Sequence, residues 1–214
     1  LIISDPVMNK EMIQQLRDRV DGIFNGDFDT GIYPDEWHWR RGMSKENVTR
    51  EICNAWKSDS LIANWVLSQE LGQACARLGG WAGSRIGQDD VWIKPPGVGC
   101  KEIAFHTDAP YISKWFSPNE NSMVTAWLAL DETSEETGTL QYVPGSHRWD
   151  KQTGLGEFHA PDQDYKTPLQ EACRAAGVEN VNIVHVEVPA GGIAFHHQDL
   201  WHGSGMNQSR TIYR

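Results

Sequence analysis

Residues 104–111 read AFHTDAPY, the end of a strand-like segment that begins at Glu102. Side chains two apart on a strand share a face. His106 and Asp108 can therefore reach one point in space and present an imidazole nitrogen and a carboxylate oxygen to it. The pair alone is common, and a histidine on a strand more often packs and hydrogen-bonds than binds metal. A third ligand has to come from a distant stretch. His202 is the best candidate, and His196 and His197, in the same tract FHHQDLWHGSG (195–205), compete for the role. Two histidines and one carboxylate on one face of an octahedral metal leave three positions open, the arrangement of non-haem iron(II) oxygenases.

Working outward, the chain after Gly80 consists of strand-like segments punctuated by Gly and Pro: DDVWIKPP, EIAFHTD, SMVTAWLAL, TLQYVPGS, VNIVHVEVPAG, GIAFHHQDLW and RTIYR. Short strands between turn signals predict a sandwich or barrel. One helix, Thr167 to Gly177, interrupts them. Before Gly80 the periodicity predicts three helices. The first is VMNKEMIQQLRDRVDGIF, capped by Ser4 or Asp5. The second is SKENVTREICNAWKSDS, capped by Ser44. The third runs from Ser58 or Asp59 to Leu78 and ends at Gly79 and Gly80. Helices followed by a strand-rich body predict an α+β fold in a single domain spanning 1–214, with 1–80 as a helical flank and 81–214 as the core.

The chain has 214 residues and a formal charge of -10. That balance disfavours nucleic acid as a partner, since such binding is driven largely by Lys and Arg. No run approaches the roughly 18 apolar residues of a membrane span, and the first residues lack the basic-then-apolar order of a secretory signal. The four cysteines form no CxxC pair, so the expectation is reduced thiols in a cytoplasmic protein. A small-molecule partner and a monomer or homodimer are expected.

Three stretches occur together: AFHTDAPY, VTAWLALDETSEETGTLQYVPGSHRW (124–149) and VPAGGIAFHHQDLWHGSGMNQS (188–209). On these, Gln88 to Arg214 resembles the phytanoyl-CoA dioxygenase family of Fe(II)- and 2-oxoglutarate-dependent oxygenases. The resemblance implies a double-stranded β-helix (jelly-roll, cupin-like) core with flanking N-terminal helices. It places the metal ligands at His106, Asp108 and His202, the last because the family ligand directly precedes GSG. It implies Fe(II), 2-oxoglutarate and dioxygen as cofactor and co-substrates. The family arginine for the distal carboxylate of 2-oxoglutarate lies eleven or twelve residues after the histidine. Arg214 fits that spacing and Arg210 does not. Ser204, Gln88, Trp92 and Trp127 would line the same pocket, while Lys94 would brace its loop. Because related halogenases replace the carboxylate with Gly or Ala, Asp108 implies hydroxylation or another oxidation of a C–H bond.

Substrate-facing residues are expected in the tract holding Trp37, His38 and Trp39, and after Asp108 at Tyr111 and Trp115. A non-catalytic binding module on the same fold is the alternative, and it would apply if no metal binds.

Overall fold

The computed structural model describes residues 1–113, 116–117, 122–150 and 163–213. Its strands are β1 (Ile2–Ile3), β2 (Glu36–Trp37), β3 (Arg50–Cys53), β4 (Asp90–Ile93), β5 (Ile103–His106), β6 (Val124–Leu128), β7 (Leu140–Tyr142), β8 (Val184–His185), β9 (Ile193–His197) and β10 (His202–Ser204). Its helices are α1 (Lys10–Phe24), α2 (Ser60–Val66), α3 (Gln69–Gly79), α4 (Ala109–Ile112) and α5 (Thr167–Ala175). The described strands pair antiparallel in three small sheets, ordered β1-β9-β6, β5-β10-β7-β8 and β2-β3-β4. The α+β expectation holds. Among the described residues the sheets do not close into a barrel.

Helix α1 forms where its apolar side chains recur at helical spacing, so that Leu16, Val20, Ile23 and Phe24 fall on one buried face. They pack against Ile52, Ile93, Ala55 and Ile62. The cap is Asn9, whose side chain accepts from the Met12 N–H, rather than Ser4 or Asp5. Arg17 ties the helix to the segment after β6 by donating to the Leu130 carbonyl and pairing with Asp131. The third expected helix is divided. Asp59 caps α2 and Ser68 caps α3, because Ser68 bonds the Leu71 N–H instead of continuing the first helix.

The second expected helix is not formed. Residues 50–53 are strand β3, held between β2 and β4. Ile52 is completely buried on the α1 side, while Glu51 and Cys53 take the opposite face. Pairing on both edges outweighs the modest helix propensity of this stretch. Residues 210–213 form no strand either.

Asp89 supports the turn that follows β3. Its carboxylate accepts from the Trp56 N–H, and its carbonyl accepts from the N–H of Asn54, which is left-handed at φ 55°. Burial pushes the Asp89 carboxyl up to about 6, against the pull of the Trp56 and Ala55 backbone N–H groups. The folded state therefore holds this proton more tightly than the unfolded chain, whose value is 3.8. Stability from this group is greatest below the unfolded value and is lost as the pH rises through about 6. Asp89→Asn keeps an oxygen for Trp56 and removes the charge. It should gain about 2–3 kcal/mol at pH 7 and little near pH 4, read by urea unfolding at both values. An equal gain at both would refute the account.

Candidate metal centre

β10 lies between β5 and β7, and its first residue, His202, sits opposite His106 on one side and Tyr142 on the other. Cross-strand pairing thus brings two histidines from distant parts of the chain side by side, with ring centroids 4.3 Å apart. The β5 pairing shifts register between His202 and Ser204, leaving one extra residue on β5. Gly203 fits against this bulge, where a Cβ would come within 3.0 Å of the Ile103 carbonyl oxygen and 3.1 Å of the Phe105 ring.

Asp108 lies just past the end of β5, where the chain turns into α4. Its own N–H and that of Ala109 both donate to the Gln198 carbonyl, at 2.8 and 3.0 Å. The Gln198 side chain in turn accepts from the N–H groups of Ser122 and Met123. The β9–β10 connection therefore fixes where the carboxylate points. Asp108 Oδ1 lies 3.4 Å from His202 Nε2 and 3.8 Å from His106 Nε2. Among the described residues, one ligand atom from each of the three lies within 4.8 Å of the others.

Hydrogen bonds decide the tautomers. His106 Nδ1 is 2.8 Å from the Ala104 carbonyl and His202 Nδ1 is 2.9 Å from the Leu200 carbonyl. A carbonyl only accepts, so Nδ1 carries the proton in both rings and each Nε2 lone pair faces Asp108. Burial lowers the His202 imidazole to about 3, against the opposing attraction of Asp108, so the ring is neutral near pH 7. Burial alone would raise the Asp108 carboxyl, but His202, His196 and His106 together hold it well below the usual carboxylate range. Two neutral nitrogens and one anionic oxygen, with their outer protons already committed, are a donor set suited to a divalent metal.

His196 supports the centre from outside. Its Nε2 is 3.1 Å from Asp108 Oδ2, which also accepts from the Thr125 hydroxyl at 2.8 Å. Since a carboxylate only accepts, His196 Nε2 bears hydrogen and its Nδ1 accepts from the Tyr142 hydroxyl at 2.9 Å. Neither nitrogen of His196 is then a free donor to metal. Thr125 and His196 are direct partners across the β6–β9 ladder. Sequence reasoning did not single out Thr125, Tyr142 or Gln198, because their roles depend on pairing between strands.

The other expected site residues are dispersed. Ser204 is buried two residues beyond His202. Trp127 shares the Thr125 face of β6 and packs near Tyr142 and Leu200. Tyr111 presents its ring edge-on to His106, centroids 6.4 Å apart. Trp92 lies half-buried on β4 opposite Glu51. Gln88 is exposed and donates to Asp90. Trp37 lies beneath Arg40 and against Phe28, and the exposed His38 pairs with Glu36. Trp39 requires correction. It is 1% exposed and packed in the α1 core, its indole N–H donating to the Lys45 carbonyl, so it faces no substrate. Trp115 and Arg214 lie outside the described residues.

A model of the family described as phytanoyl-CoA dioxygenase (PhyH) matches residues 1–214. The chain belongs to the phytanoyl-CoA dioxygenase (PhyH) family. Among PhyH relatives, the peroxisomal phytanoyl-CoA dioxygenase of Homo sapiens is 30% identical over 129 residues, 55% of this chain and 33% of its own length. The probable alpha-ketoglutarate-dependent hypophosphite dioxygenase of Stutzerimonas stutzeri is 32% identical over 137 residues, 61% of this chain and 42% of its own length. The aligned region is thus about a third of the length of the human relative. The fold matches the carbocyclase SnoK from nogalamycin biosynthesis, with a TM-score of 0.72 at 23% identity over 100% of this chain and 76% of that one. It also matches EctD from S. alaskensis with 2-oxoglutarate and 5-hydroxyectoine, with a TM-score of 0.70 at 19% identity over 100% and 71%. The expected cytoplasmic location is corrected by these comparisons, since the human, mouse and cattle relatives are named as peroxisomal. Among the described residues no helix is long and apolar enough to cross a membrane.

Proposed function

We propose that this PhyH chain is an Fe(II)- and 2-oxoglutarate-dependent dioxygenase that hydroxylates or otherwise oxidises a C–H bond of a small molecule. The observation that carries this reading is the convergence of two Nε2 lone pairs and Asp108 Oδ1 at one point, with all outer hydrogen bonds made. Ferrous iron with 2-oxoglutarate and dioxygen supplies the oxidising chemistry when bound. His106, Asp108 and His202 would hold the metal through two imidazole nitrogens and one carboxylate oxygen. Thr125 and His196 keep Asp108 Oδ2 occupied, so Oδ1 is the oxygen offered to the metal. Ser204 and Arg214 hold the distal carboxylate of 2-oxoglutarate, with Trp127 as a wall. Trp92 and Gln88 are placed less directly, on the β4 side. Tyr111, beside His106, and Trp115 border the substrate.

The three sheets and the helical flank belong to one domain built on a double-stranded β-helix. Anaerobic addition of Fe(II) and then 2-oxoglutarate should produce a weak visible charge-transfer band. Its absence would favour a non-catalytic binding module.

A further inference from the structure

We infer that Glu36, His38 and Cys53 form a second metal site, separate from the centre at His202, that takes a divalent ion of the zinc class. The tract EWH (36–38) sets a carboxylate and an imidazole two residues apart, so they share a face of the extended chain. Cys53 lies directly opposite Glu36 in the β2–β3 ladder, and the His38 N–H continues that ladder by donating to the Glu51 carbonyl. Trp37 and Ile52, on the other face, pack into the α1 core. The three polar side chains therefore meet on the side away from that core. One ligand atom from each lies within 4.8 Å of the others. His38 Nε2 is 2.6 Å from Glu36 Oε2, and Cys53 Sγ is 3.9 Å from the same oxygen.

The sulfur sets this group apart from an acidic surface patch. Cys53 is 6% exposed. Its Sγ is also 3.8 Å from Glu51 Oε1, and Asp90 is its cross-strand partner on β4. A thiol has one proton and can serve one of these oxygens at a time. Burial first, and then Asp90, Glu51 and Glu36, raise the thiol above its usual range, so by itself it is inert. A dication reverses that field. On binding, the Cys53 proton leaves to solvent and the thiolate ligates, while the His38 ring carries its proton on Nδ1 and offers Nε2. Nitrogen, sulfur and oxygen together suit zinc, whereas calcium and magnesium take oxygen. Bonds of about 2.0–2.3 Å place the ligand atoms of a tetrahedral zinc roughly 3.2–3.8 Å apart. The His38–Glu36 pair has to widen, and side chains 53% and 60% exposed can do so. The ion would fasten β2, only two residues long, to β3.

Co(II) is the probe, because a cobalt–thiolate bond gives a near-ultraviolet charge-transfer band that nitrogen and oxygen ligands do not. Added to the reduced protein under argon, Co(II) should raise this band to saturation, and Zn(II) should then abolish it by displacement. Cys53→Ser should lose the band entirely. His38→Ala should weaken Co(II) at this site by more than about 10-fold. His38 is exposed, so its variant decides the question even if Cys53→Ser does not fold. Asp108→Ala should keep the band, since His106, Asp108 and His202 contribute no sulfur. The inference is overturned by no band in the unaltered protein, or by a band that survives Cys53→Ser or excess Zn(II). A band unchanged by His38→Ala, or lost in Asp108→Ala, overturns it equally. None of these readouts depends on oxygenase activity.

Discussion

Asp108→Ala is expected to abolish succinate formation and to reduce Fe(II) affinity by more than the roughly 10- to 100-fold that follows loss of an outer hydrogen-bond partner. The carboxylate supplies the only negative charge of the donor set, and its Oδ1 lies 3.4 Å from His202 Nε2. Alanine also strips the Thr125 hydroxyl and the His196 N–H of their shared acceptor. Thr125→Val provides the graded comparison. It removes one hydrogen bond to Oδ2 while leaving all three ligands, so its loss should fall within that 10- to 100-fold range. Anaerobic Fe(II) titration and coupled succinate release read both variants. Full turnover by Asp108→Ala would show the ligand assignment to be wrong.

Gly138→Ala is expected to be the most damaging single-methyl substitution outside the metal centre. Gly138 adopts φ +71°, and a Cβ there would lie 2.4 Å from the Gly205 carbonyl oxygen and 2.7 Å from that of Met206. These are backbone atoms directly after β10, so relief requires moving the arm that carries His202 and Ser204. The left-handed conformation costs a non-glycine residue about 1–2 kcal/mol, and displaced backbone should bring the total to roughly 4 kcal/mol. Gly80 isolates the two contributions, since it has φ +69° with nothing within 4 Å of an added Cβ. Gly80→Ala should lose only about 1–2 kcal/mol. Urea unfolding of both variants reads the difference, and equal losses would mean that the close approach is not maintained.

The convergence of His106, Asp108 and His202 was legible in part from HxD at strand spacing and in part from the family resemblance, which places a ligand directly before GSG. Its supporting shell was not. Thr125, Tyr142 and His196 meet only because β6 pairs with β9 and β10 pairs with β7, and no spacing within one segment encodes that. His196 sits in the same tract as His202 and differs from it through the Tyr142 hydroxyl and the Asp108 carboxylate that occupy its two nitrogens. Helices α1, α3 and α5 were visible in their periodic apolar faces. Strand β3 was misread as helix because REIC is short and lies among good helix formers, and its state is fixed by two partner strands. Trp39 shows the same effect on a smaller scale. An aromatic residue in a Gly- and Asp-rich tract has no periodicity to reveal which way it faces, and helix α1 recruits it into the core.

The bulge in β5 bears on how the chain tolerates insertions and deletions. The extra residue in the ladder between Ile103 and His106 sets which side of the sheet the imidazole leaves from. Gaining one further residue there without a second bulge would move His106 out of its place opposite His202 and turn the imidazole outward, while Asp108 stayed tethered to Gln198. Point substitutions at Ala104 or Phe105 can be absorbed by repacking, whereas a frame-preserving change of length cannot. The length of this segment is therefore under a stricter constraint than its composition, and libraries meant to retune the protein would do better to vary side chains there and reserve length changes for connections away from the ligand strands.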